Sequence, residues 1–318
     1  MRLIARAART QKEGHTPKMF IDIHTHTRRV PGPPRDDGST YATPEQLVER
    51  YDALGVEKAV ILPSVSPDCA FVPQSNQEVL DICEAFPGRF IPFCNVDPRS
   101  MTNSPAAPLE RLLRFWQERG CRGIGEVTAN LPFLDPMVQN LFRCAQQVGM
   151  PLTFHAAAQI GGTYGLYDDP GLPQLERSLQ EFPRLQFLGH SQVFWAEIAP
   201  LETPADRYAY PKGPVTAEGV VPKLMRRYPN LLGDLSAHSG YNALARDPGY
   251  AAEFLDEFQD RLFFGTDICA PDTPTPLVGF LQGLLSEGAI AEEVFHKIAR
   301  ENAVGLLDLR STPTEPSE

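Results

Sequence analysis

Short apolar segments alternate with longer amphipathic segments along most of the chain. From Met19 onward, apolar runs rich in β-branched and aromatic residues occur at 19–24, 57–62, 89–94, 121–126, 151–155, 185–190, 230–235 and 261–265. Most of these runs lack an apolar–polar alternation, which is typical of strands buried on both faces. Helical patterns lie between them, so the chain predicts a parallel sheet with right-handed crossovers.

The segments between the predicted strands carry the periodicity and end signals of helices. The first, 44–54, is preceded by the candidate N-cap Thr43 and followed by Gly55. Similar stretches occur at 75–86, 108–119, 136–148, 172–182, 218–228, 249–259, 274–285 and 291–307. Eight strand–helix repeats predict an α/β fold, a closed (β/α)8 barrel of the TIM type, and a doubly wound open sheet is the alternative.

One domain with a tail at each end is the expected organisation, the barrel occupying 19–310. Residues 1–18 hold five basic residues against one acid and contain no apolar core of the secretory kind, so we expect a flexible N-terminal tail. The polar, proline-containing segment 311–318 is expected to be a flexible C-terminal tail. Two long loops, at 30–44 and 195–217, have the length of lids or binding loops.

Composition and charge narrow the class of protein. The 318 residues are 42% hydrophobic and 22% charged, as in a soluble globular protein, and no apolar run approaches the length of a membrane-spanning helix. The formal net charge of −11 repels phosphate backbones, so neither nucleic acid nor a membrane is an expected partner. The six cysteines form no C-x-x-C pair, which favours reduced thiols and a cytoplasmic location.

Residues able to bind metal lie at the ends of the predicted strands. His24 and His26 close the first strand, and alternate side chains of a strand share one face. At the C-terminal end of a barrel strand both imidazoles would face the mouth, where active sites of this fold are built. Imidazole is a common neutral metal ligand, so the pair predicts half of a metal site, although a single such pair can also arise by chance.

Four further residues of ligand type end other predicted strands: Glu126, His155, His190 and Asp267. A charged or imidazole group at the end of an apolar strand is costly unless it is paired or coordinates something. Each has a structural alternative by itself, such as an ion pair for Glu126 or a hydrogen-bonded core position for His155. Six such residues at the same end of five predicted strands indicate a metal site.

These motifs resemble the amidohydrolase superfamily, in particular the amidohydrolase-related branch that contains aminocarboxymuconate semialdehyde decarboxylase. The resemblance runs from about Met19 to about Leu307 and rests on Asp22-Ile23-His24-Thr25-His26, Phe154-His155, Leu188-Gly189-His190 and Phe264-Gly265-Thr266-Asp267. It implies a TIM barrel with one or two divalent metals, zinc being the expected metal. It further implies that His24, His26, His155 and Asp267 are metal ligands and that His190 binds a second metal or contacts substrate or water.

Glu126 bears on the number of metals. Its position at the end of the fourth strand resembles that of superfamily members in which a glutamate bridges two ions about 3.5–4 Å apart. On that hypothesis the first ion is held by His24, His26, Glu126 and Asp267, and the second by Glu126, His155 and His190. The decarboxylases of the related branch look mononuclear, so one ion is the alternative.

The expected activity is hydrolysis of an amide, lactone or ester bond of a small organic molecule by metal-activated water. Asp267 is the expected general base and then acid, and His190 is the second catalytic candidate. One alternative is a metal-dependent, non-oxidative decarboxylase of an aromatic or unsaturated carboxylic acid, a lyase. The other is a barrel that binds metal or ligand without catalysis.

Weaker candidates lie in the loops at the predicted mouth. Arg28 could hold a substrate carboxylate with its guanidinium fork, and surface solvation is the alternative. His238 and Tyr164 are further substrate-binding candidates, with a polar loop position and simple packing as alternatives. Asp234, inside the seventh predicted strand, suits a buried hydrogen bond as well as catalysis. We expect a small-molecule substrate and, as a default, a homodimer.

Overall fold

Parallel strands and helices alternate through residues 19–70 and 72–310, the part of the chain that the computed structural model describes. The predicted tails at 1–18 and 311–318 lie outside these residues. The strands are β1 (Phe20–Thr25), β2 (Val56–Ile61), β3 (Phe90–Pro92), β4 (Ile124–Val127), β5 (Leu152–Ala157), β6 (Leu166–Tyr167), β7 (Phe187–His190), β8 (Leu231–Asp234) and β9 (Leu262–Phe263). All except the two-residue β6 correspond to strands predicted from the sequence.

The helices occupy the segments between the strands. They are α1 (Pro44–Leu54), α2 (Asn76–Ala85), α3 (Leu109–Gln117), α4 (Pro136–Val148), α5 (Pro173–Glu181), α6 (Gln192–Ala196), α7 (Val220–Arg227), α8 (Ala237–Ala245), α9 (Pro248–Glu257), α10 (Pro276–Ser286), α11 (Glu292–His296) and α12 (Asn302–Leu306). A 3-10 turn covers Pro204–Tyr208, and a π-helical turn, Lys297–Glu301, joins the last two helices. The periodicity did not predict the short α6 or α8.

Helix α1 shows how local sequence sets an element's ends. The Thr43 hydroxyl accepts from the Gln46 N–H at 3.4 Å, and the Gln46 side chain accepts from the Thr43 N–H at 2.9 Å, forming a capping box. The helix stops at Gly55, which has a left-handed φ of 75° that glycine adopts without steric cost. The predicted start and stop of this helix are confirmed.

Eight strands form a ring, in chain order, from two regular parallel sheets. One sheet has the order β1-β2-β3, and the other β4-β5-β7-β8-β9 with β6 beside β5. Backbone hydrogen bonds connect the sheets at both seams: the Gly125 N–H donates to Cys94 O at 2.9 Å, and the Asp267 N–H donates to His24 O at 2.9 Å. The (β/α)8 barrel predicted from the alternation is confirmed, and the open sheet is not.

Two apolar layers stabilise the barrel. One fills its interior with Ile21, Ile23, Val60, Leu62, Ile91, Phe93, Leu188, Leu232 and Phe263, and it includes Ala303 of α12 and Leu307, the residue that follows this helix. The other lies between the strands and the surrounding helices. Packing therefore occupies the lower barrel and leaves its upper end, at the C-terminal ends of the strands, for polar side chains. None of the helices in the described ranges has the length and apolar character needed to cross a bilayer.

Candidate metal centre

Side chains from the ends of β1, β4 and β9 surround one point at the barrel mouth. The Nε2 atoms of His24 and His26 lie 3.1 Å apart. Asp267 Oδ1 is 3.5 Å from each of these nitrogens. Glu126 Oε2 is 3.8 Å from His24 Nε2 and 3.6 Å from His26 Nε2. We call these four residues the cage.

The spacing of the cage suits a small divalent cation. Metal–ligand bonds of 2.0–2.2 Å in a tetrahedral site place neighbouring ligand atoms about 3.3–3.6 Å apart. The distances from each histidine Nε2 to the other and to the two carboxylates, 3.1–3.8 Å, cover that range. His24, His26 and Glu126 also form one of the residue groups in the described chain that could hold a metal ion. The cage therefore has the donors and the spacing of a metal site.

Hydrogen bonds on the far side of the two imidazoles determine which nitrogens face the cage. His26 Nδ1 lies 2.8 Å from Leu62 O, a carbonyl that can only accept, so Nδ1 carries the proton. His24 Nδ1 lies 2.6 Å from the carboxylate of Asp234. In the neutral rings both Nε2 atoms then present lone pairs to each other at 3.1 Å. Such a pair is repulsive unless a proton or a cation lies between the two nitrogens.

The charged groups around the cage also favour a proton or a cation between the two imidazole nitrogens. Burial alone would lower the pKa of His24, but the carboxylates of Asp234, Asp267 and Glu126 outweigh it and raise that pKa to about 10. Burial alone would raise the pKa of Glu126, but His155, His26 and His24 hold it well below its usual range. A proton on His24 therefore occupies the place that a cation would take.

Glu126 also belongs to a second group, towards which its other carboxylate oxygen points. This group consists of Glu126, His155 and His190, and we call it the triad. This group too could hold a metal ion. Glu126 Oε1 lies 2.7 Å from His155 Nδ1 and 3.7 Å from His190 Nε2. A separation of 2.7 Å is that of a hydrogen bond and is shorter than the spacing of two ligands on one ion. Burial, followed by the charge on His24, lowers the pKa of His190 to about 4, so this ring is neutral near pH 7.

Asp22, to which the sequence analysis assigned no role, joins the two halves of the cage. Its carboxylate accepts from the backbone N–H groups of His24 and Thr266, both at 2.9 Å. It also accepts from the Thr266 hydroxyl at 2.5 Å and from the Tyr51 hydroxyl at 2.6 Å. These bonds connect β1 to the turn that carries Asp267, whose φ of 53° is left-handed. An aspartate inside an otherwise apolar strand was the signal that could have identified it.

Gly265 allows the end of β9 to approach β1 and β8 closely. A Cβ atom at this position would lie 2.6 Å from Ser236 Cβ and 3.4 Å from His24 Cβ. Real Cβ atoms do not approach other carbons to 2.6 Å, so a larger residue would push the strands apart. The glycine in Phe264-Gly265-Thr266-Asp267 therefore places Asp267 next to the histidines.

A cavity of about 510 Å³ opens above the cage and the triad. His26, Glu126, His155, His190 and Asp267 line it, together with Arg35, Asp36, Asp37, Tyr41, Ser64, Cys69, Thr128, Tyr164 and Cys269. Arg35 is the one lysine or arginine among these lining residues, and it was not predicted from the sequence. Its guanidinium lies 4.4 Å from the ring centroid of Tyr41 and donates to the Ser39 hydroxyl at 3.2 Å. The only signal was its position in the long loop at 30–44.

The three weaker candidates have different surroundings. Tyr164 lines the cavity, with its ring centroid 4.6 Å from that of His155. Arg28 is not among the lining residues; its side chain is buried against the Tyr41 ring and donates to Val72 O. His238 is not among them either, because it lies in the first turn of α8 with its exposed ring between Tyr210 and Tyr241. Of the three candidates, Tyr164 therefore lines this cavity, and Arg28 and His238 lie outside its lining.

Sequence comparison identifies the class of protein. The sequence model of the amidohydrolase family matches residues 21–309, so the chain belongs to this family. The family resemblance proposed from the strand-end motifs is thereby confirmed. No curated protein sequence matches the chain.

Solved structures agree on the fold. They include 5-carboxyvanillate decarboxylase from Sphingomonas paucimobilis, 18% identical with a TM-score of 0.57, covering 92% of this chain and 99% of that chain. 2,6-Dihydroxybenzoate decarboxylase from Rhizobium is 16% identical with a TM-score of 0.54, covering 93% and 100%. A candidate 2-pyrone-4,6-dicarboxylic acid hydrolase from Pseudomonas putida is 14% identical with a TM-score of 0.60, covering 93% and 100%. At these identities the likeness establishes the barrel and not the reaction.

Proposed function

We propose that this chain is a divalent-metal-dependent hydrolase that acts on an amide, lactone or ester bond of a small organic molecule, with zinc as the expected metal. The observation that carries the proposal is the pair of histidine Nε2 atoms, 3.1 Å apart and flanked by two carboxylates. The four cage residues would hold the ion. A bound divalent cation supplies two things: it lowers the pKa of water, and it polarises a substrate carbonyl.

Asp267 is the cage residue best placed to transfer a proton. Its side chain is 26% exposed, compared with 0% for His24 and 7% for Glu126, and it lines the cavity. Its carboxylate can therefore meet both water and substrate. We propose that it accepts a proton from the attacking water and returns it to the leaving group, as base and then acid.

We propose that the triad orients the substrate and the attacking water. His190 is neutral near pH 7 and lines the cavity, so it can contact substrate or water without introducing a charge. Glu126 stays ionised and connects the triad to the cage. We propose one ion per chain, in the cage, because His155 and Glu126 already satisfy each other at 2.7 Å. Two ions, the original hypothesis, would require that hydrogen bond to open.

Arg35 favours a substrate with an acidic group. It is the one cationic side chain of the lysine or arginine type in the cavity lining, and its guanidinium is stacked on Tyr41. A planar guanidinium pairs well with a carboxylate through two parallel hydrogen bonds. We therefore propose Arg35, in place of Arg28, as the anchor for a substrate carboxylate.

Decarboxylation of an aromatic or unsaturated carboxylic acid is the second candidate. The same Arg35, with the rings of Tyr41 and Tyr164 in the cavity, also suits an aromatic acid. Structurally similar proteins from Sphingomonas paucimobilis and Rhizobium are decarboxylases of such acids. In that reaction no water is consumed, and Asp267 would move a proton to the substrate carbon.

Product analysis on the metal-loaded chain tests the proposal and separates the candidates. The chelator-treated chain is titrated with Zn²⁺ and then incubated with panels of carboxylated lactones, amides and esters and of aromatic acids. We expect stoichiometric zinc and the release of a new acid group without CO₂. Release of CO₂ would select the decarboxylase. A chain that binds no divalent metal contradicts both, and stoichiometric zinc without turnover on any panel would leave the non-catalytic barrel.

A further inference from the structure

Asp234 lies beneath the cage and outside the cavity. It ends β8 and is fully buried, and it is not among the residues that line the cavity. Its Oδ2 lies 2.6 Å from His24 Nδ1, and its Oδ1 accepts from the Ser236 N–H at 3.0 Å. Its backbone carbonyl accepts from the indole N–H of Trp195 at 2.8 Å. Both carboxylate oxygens and the backbone are therefore held in place.

Neighbouring groups enclose the Asp234 carboxylate. A Cβ atom on Gly265 would come within 3.0 Å of Asp234 Oδ1, so the strand end of β9 encloses that oxygen. On the other side, His190 Nδ1 lies 3.6 Å from Oδ2 and has its own partner in the Ser236 hydroxyl at 3.0 Å. The shortest side-chain contact of Asp234 is thus the one with His24.

The two histidines of the cage are supported differently. His26 Nδ1 faces a neutral backbone carbonyl at 2.8 Å, whereas His24 Nδ1 faces a carboxylate at 2.6 Å. A carboxylate behind an imidazole keeps the proton on Nδ1, orients the ring, and makes Nε2 a stronger donor to a metal. Such outer partners commonly contribute 10–100-fold to metal affinity, which is about the effect expected here.

We infer that Asp234 is a positioning residue that holds His24 with Nε2 towards the cage, so that the affinity of the chain for a divalent cation depends on it. This inference rests on the proposed function, since it requires the cage to bind metal. On this inference Asp234 acts through His24, since its Oδ2 contacts Nδ1, the ring nitrogen that faces away from the cage. Its substitution therefore changes the metal site before it changes anything in the cavity.

Zinc affinity of the full chain, measured without substrate, tests the inference. The chelator-treated chain competes with a chromophoric chelator for Zn²⁺, as wild type, as Asp234→Asn and as Asp168→Asn. Asp168 is a matched control: it is another fully buried aspartate, but it accepts from the backbone N–H groups of Gln174 and Leu175 at the start of α5. We expect Asp234→Asn to weaken zinc binding about 10–100-fold and Asp168→Asn to leave it unchanged.

A second measurement separates a positioning role from simple loss of stability. Co²⁺ replaces Zn²⁺ in each folded variant, and its visible spectrum reports the ligand field. We expect a changed spectrum in Asp234→Asn and a spectrum like that of wild type in Asp168→Asn. Wild-type affinity and spectrum in Asp234→Asn would overturn the inference and leave the proposed function standing. Wild-type protein that binds no zinc would instead contradict the proposed function.

The wild-type chain provides the test if Asp234→Asn does not fold. Zinc-loaded protein labelled with ¹⁵N in histidine is examined by NMR, and the His24 ring is assigned through its contacts with Asp234. We expect an Nδ1–H proton on His24 that is shifted further downfield than that of His26, because its acceptor is charged. A His24 ring without a proton on Nδ1 would refute the inference.

Discussion

The two oxygens of Glu126 face two groups built from the same kinds of side chain. Towards the cage, Oε2 lies 3.6–3.8 Å from two imidazole nitrogens, and in the neutral rings those nitrogens would present lone pairs to each other. Towards the triad, Oε1 lies 2.7 Å from His155 Nδ1 and forms a hydrogen bond. In the cage, each imidazole ring has a hydrogen-bond partner on the side away from the other ring, whereas in the triad Glu126 and His155 form a hydrogen bond with each other. We therefore propose that spacing and proton placement, and not residue type alone, distinguish the cage from the triad.

Removal of one histidine from each group is the most direct test of the difference between the cage and the triad. We expect His26→Ala to lower zinc affinity by more than the 10–100-fold typical of outer partners, because it removes a ligand. His155→Ala leaves the cage complete, so we expect a much smaller loss. Both are measured by chelator competition. Equal losses in the two variants would mean that the triad also binds the ion and that two-ion occupancy should be restored.

Turnover tests Asp267, the cage residue with the most exposed side chain. We expect Asp267→Asn to lower kcat about 10²–10⁴-fold, the usual contribution of a positioned acid–base group. Metal content, measured on the same sample, is expected to stay at half or more of the wild-type value because three ligands remain. Asp36→Asn changes a carboxylate that lines the cavity outside the cage and serves as the control. Near-normal turnover in Asp267→Asn would exclude its role as base.

The pH dependence of metal binding tests the proton that occupies the cage. The pKa of His24 is raised to about 10, so near neutral pH the metal-free ring carries a proton that a cation must displace. Affinity is therefore expected to fall as pH falls, by about tenfold per pH unit for one displaced proton. Calorimetry in two buffers of different ionisation enthalpy counts that proton. Affinity that stays constant between about pH 6.5 and pH 8.5 would show that His24 is already deprotonated.

The smallest expected effect concerns the cavity and not the two metal-ligand groups. A hydrogen bond to a charged group contributes about 1.5–3 kcal/mol, and Arg35 is partly exposed, so we expect Arg35→Ala to raise KM about tenfold for a carboxylated substrate. Zinc affinity should not change. Arg29→Ala, an exposed arginine outside this cavity, is the control. An unchanged KM would leave substrate recognition to Tyr164 and the other cavity residues.

Much of the fold follows from local patterns. The barrel strands are short apolar runs, and α1 starts and stops at its capping box and its glycine. Helix α8 was missed because Ala237–Ala245 contains glycine, serine and asparagine, and tertiary contacts override those weak helix formers. The same miss placed His238 in a loop, whereas it begins a helix and packs between two tyrosines.

The candidate site, like the fold, was predicted from the sequence only in part. Strand-end positions identified the six ligand-type residues, because parallel strands of a barrel bring their C-terminal ends to one mouth. They did not reveal Asp22 or the role of Asp234, since each depends on a partner distant in the chain. They did not reveal Arg35 either, because its partners Ser39 and Tyr41 lie in the same long loop and only the path of that loop brings it to the cavity. Asp234 lies 210 positions from His24, and Asp22 lies 244 positions from Thr266.

The sequence by itself determined the alternation of strands and helices, the family, and which donor atoms reach the mouth of the barrel. Only the tertiary structure decided how those donors are paired: which histidine nitrogen keeps its proton, which oxygen of Glu126 is free, and which arginine faces the cavity. The physical reason is the separation along the chain of the residues that interact. Strand and helix patterns are set by neighbours a few positions apart, whereas proton placement depends on atoms within about 3 Å, which the closed ring brings together from opposite ends of the chain.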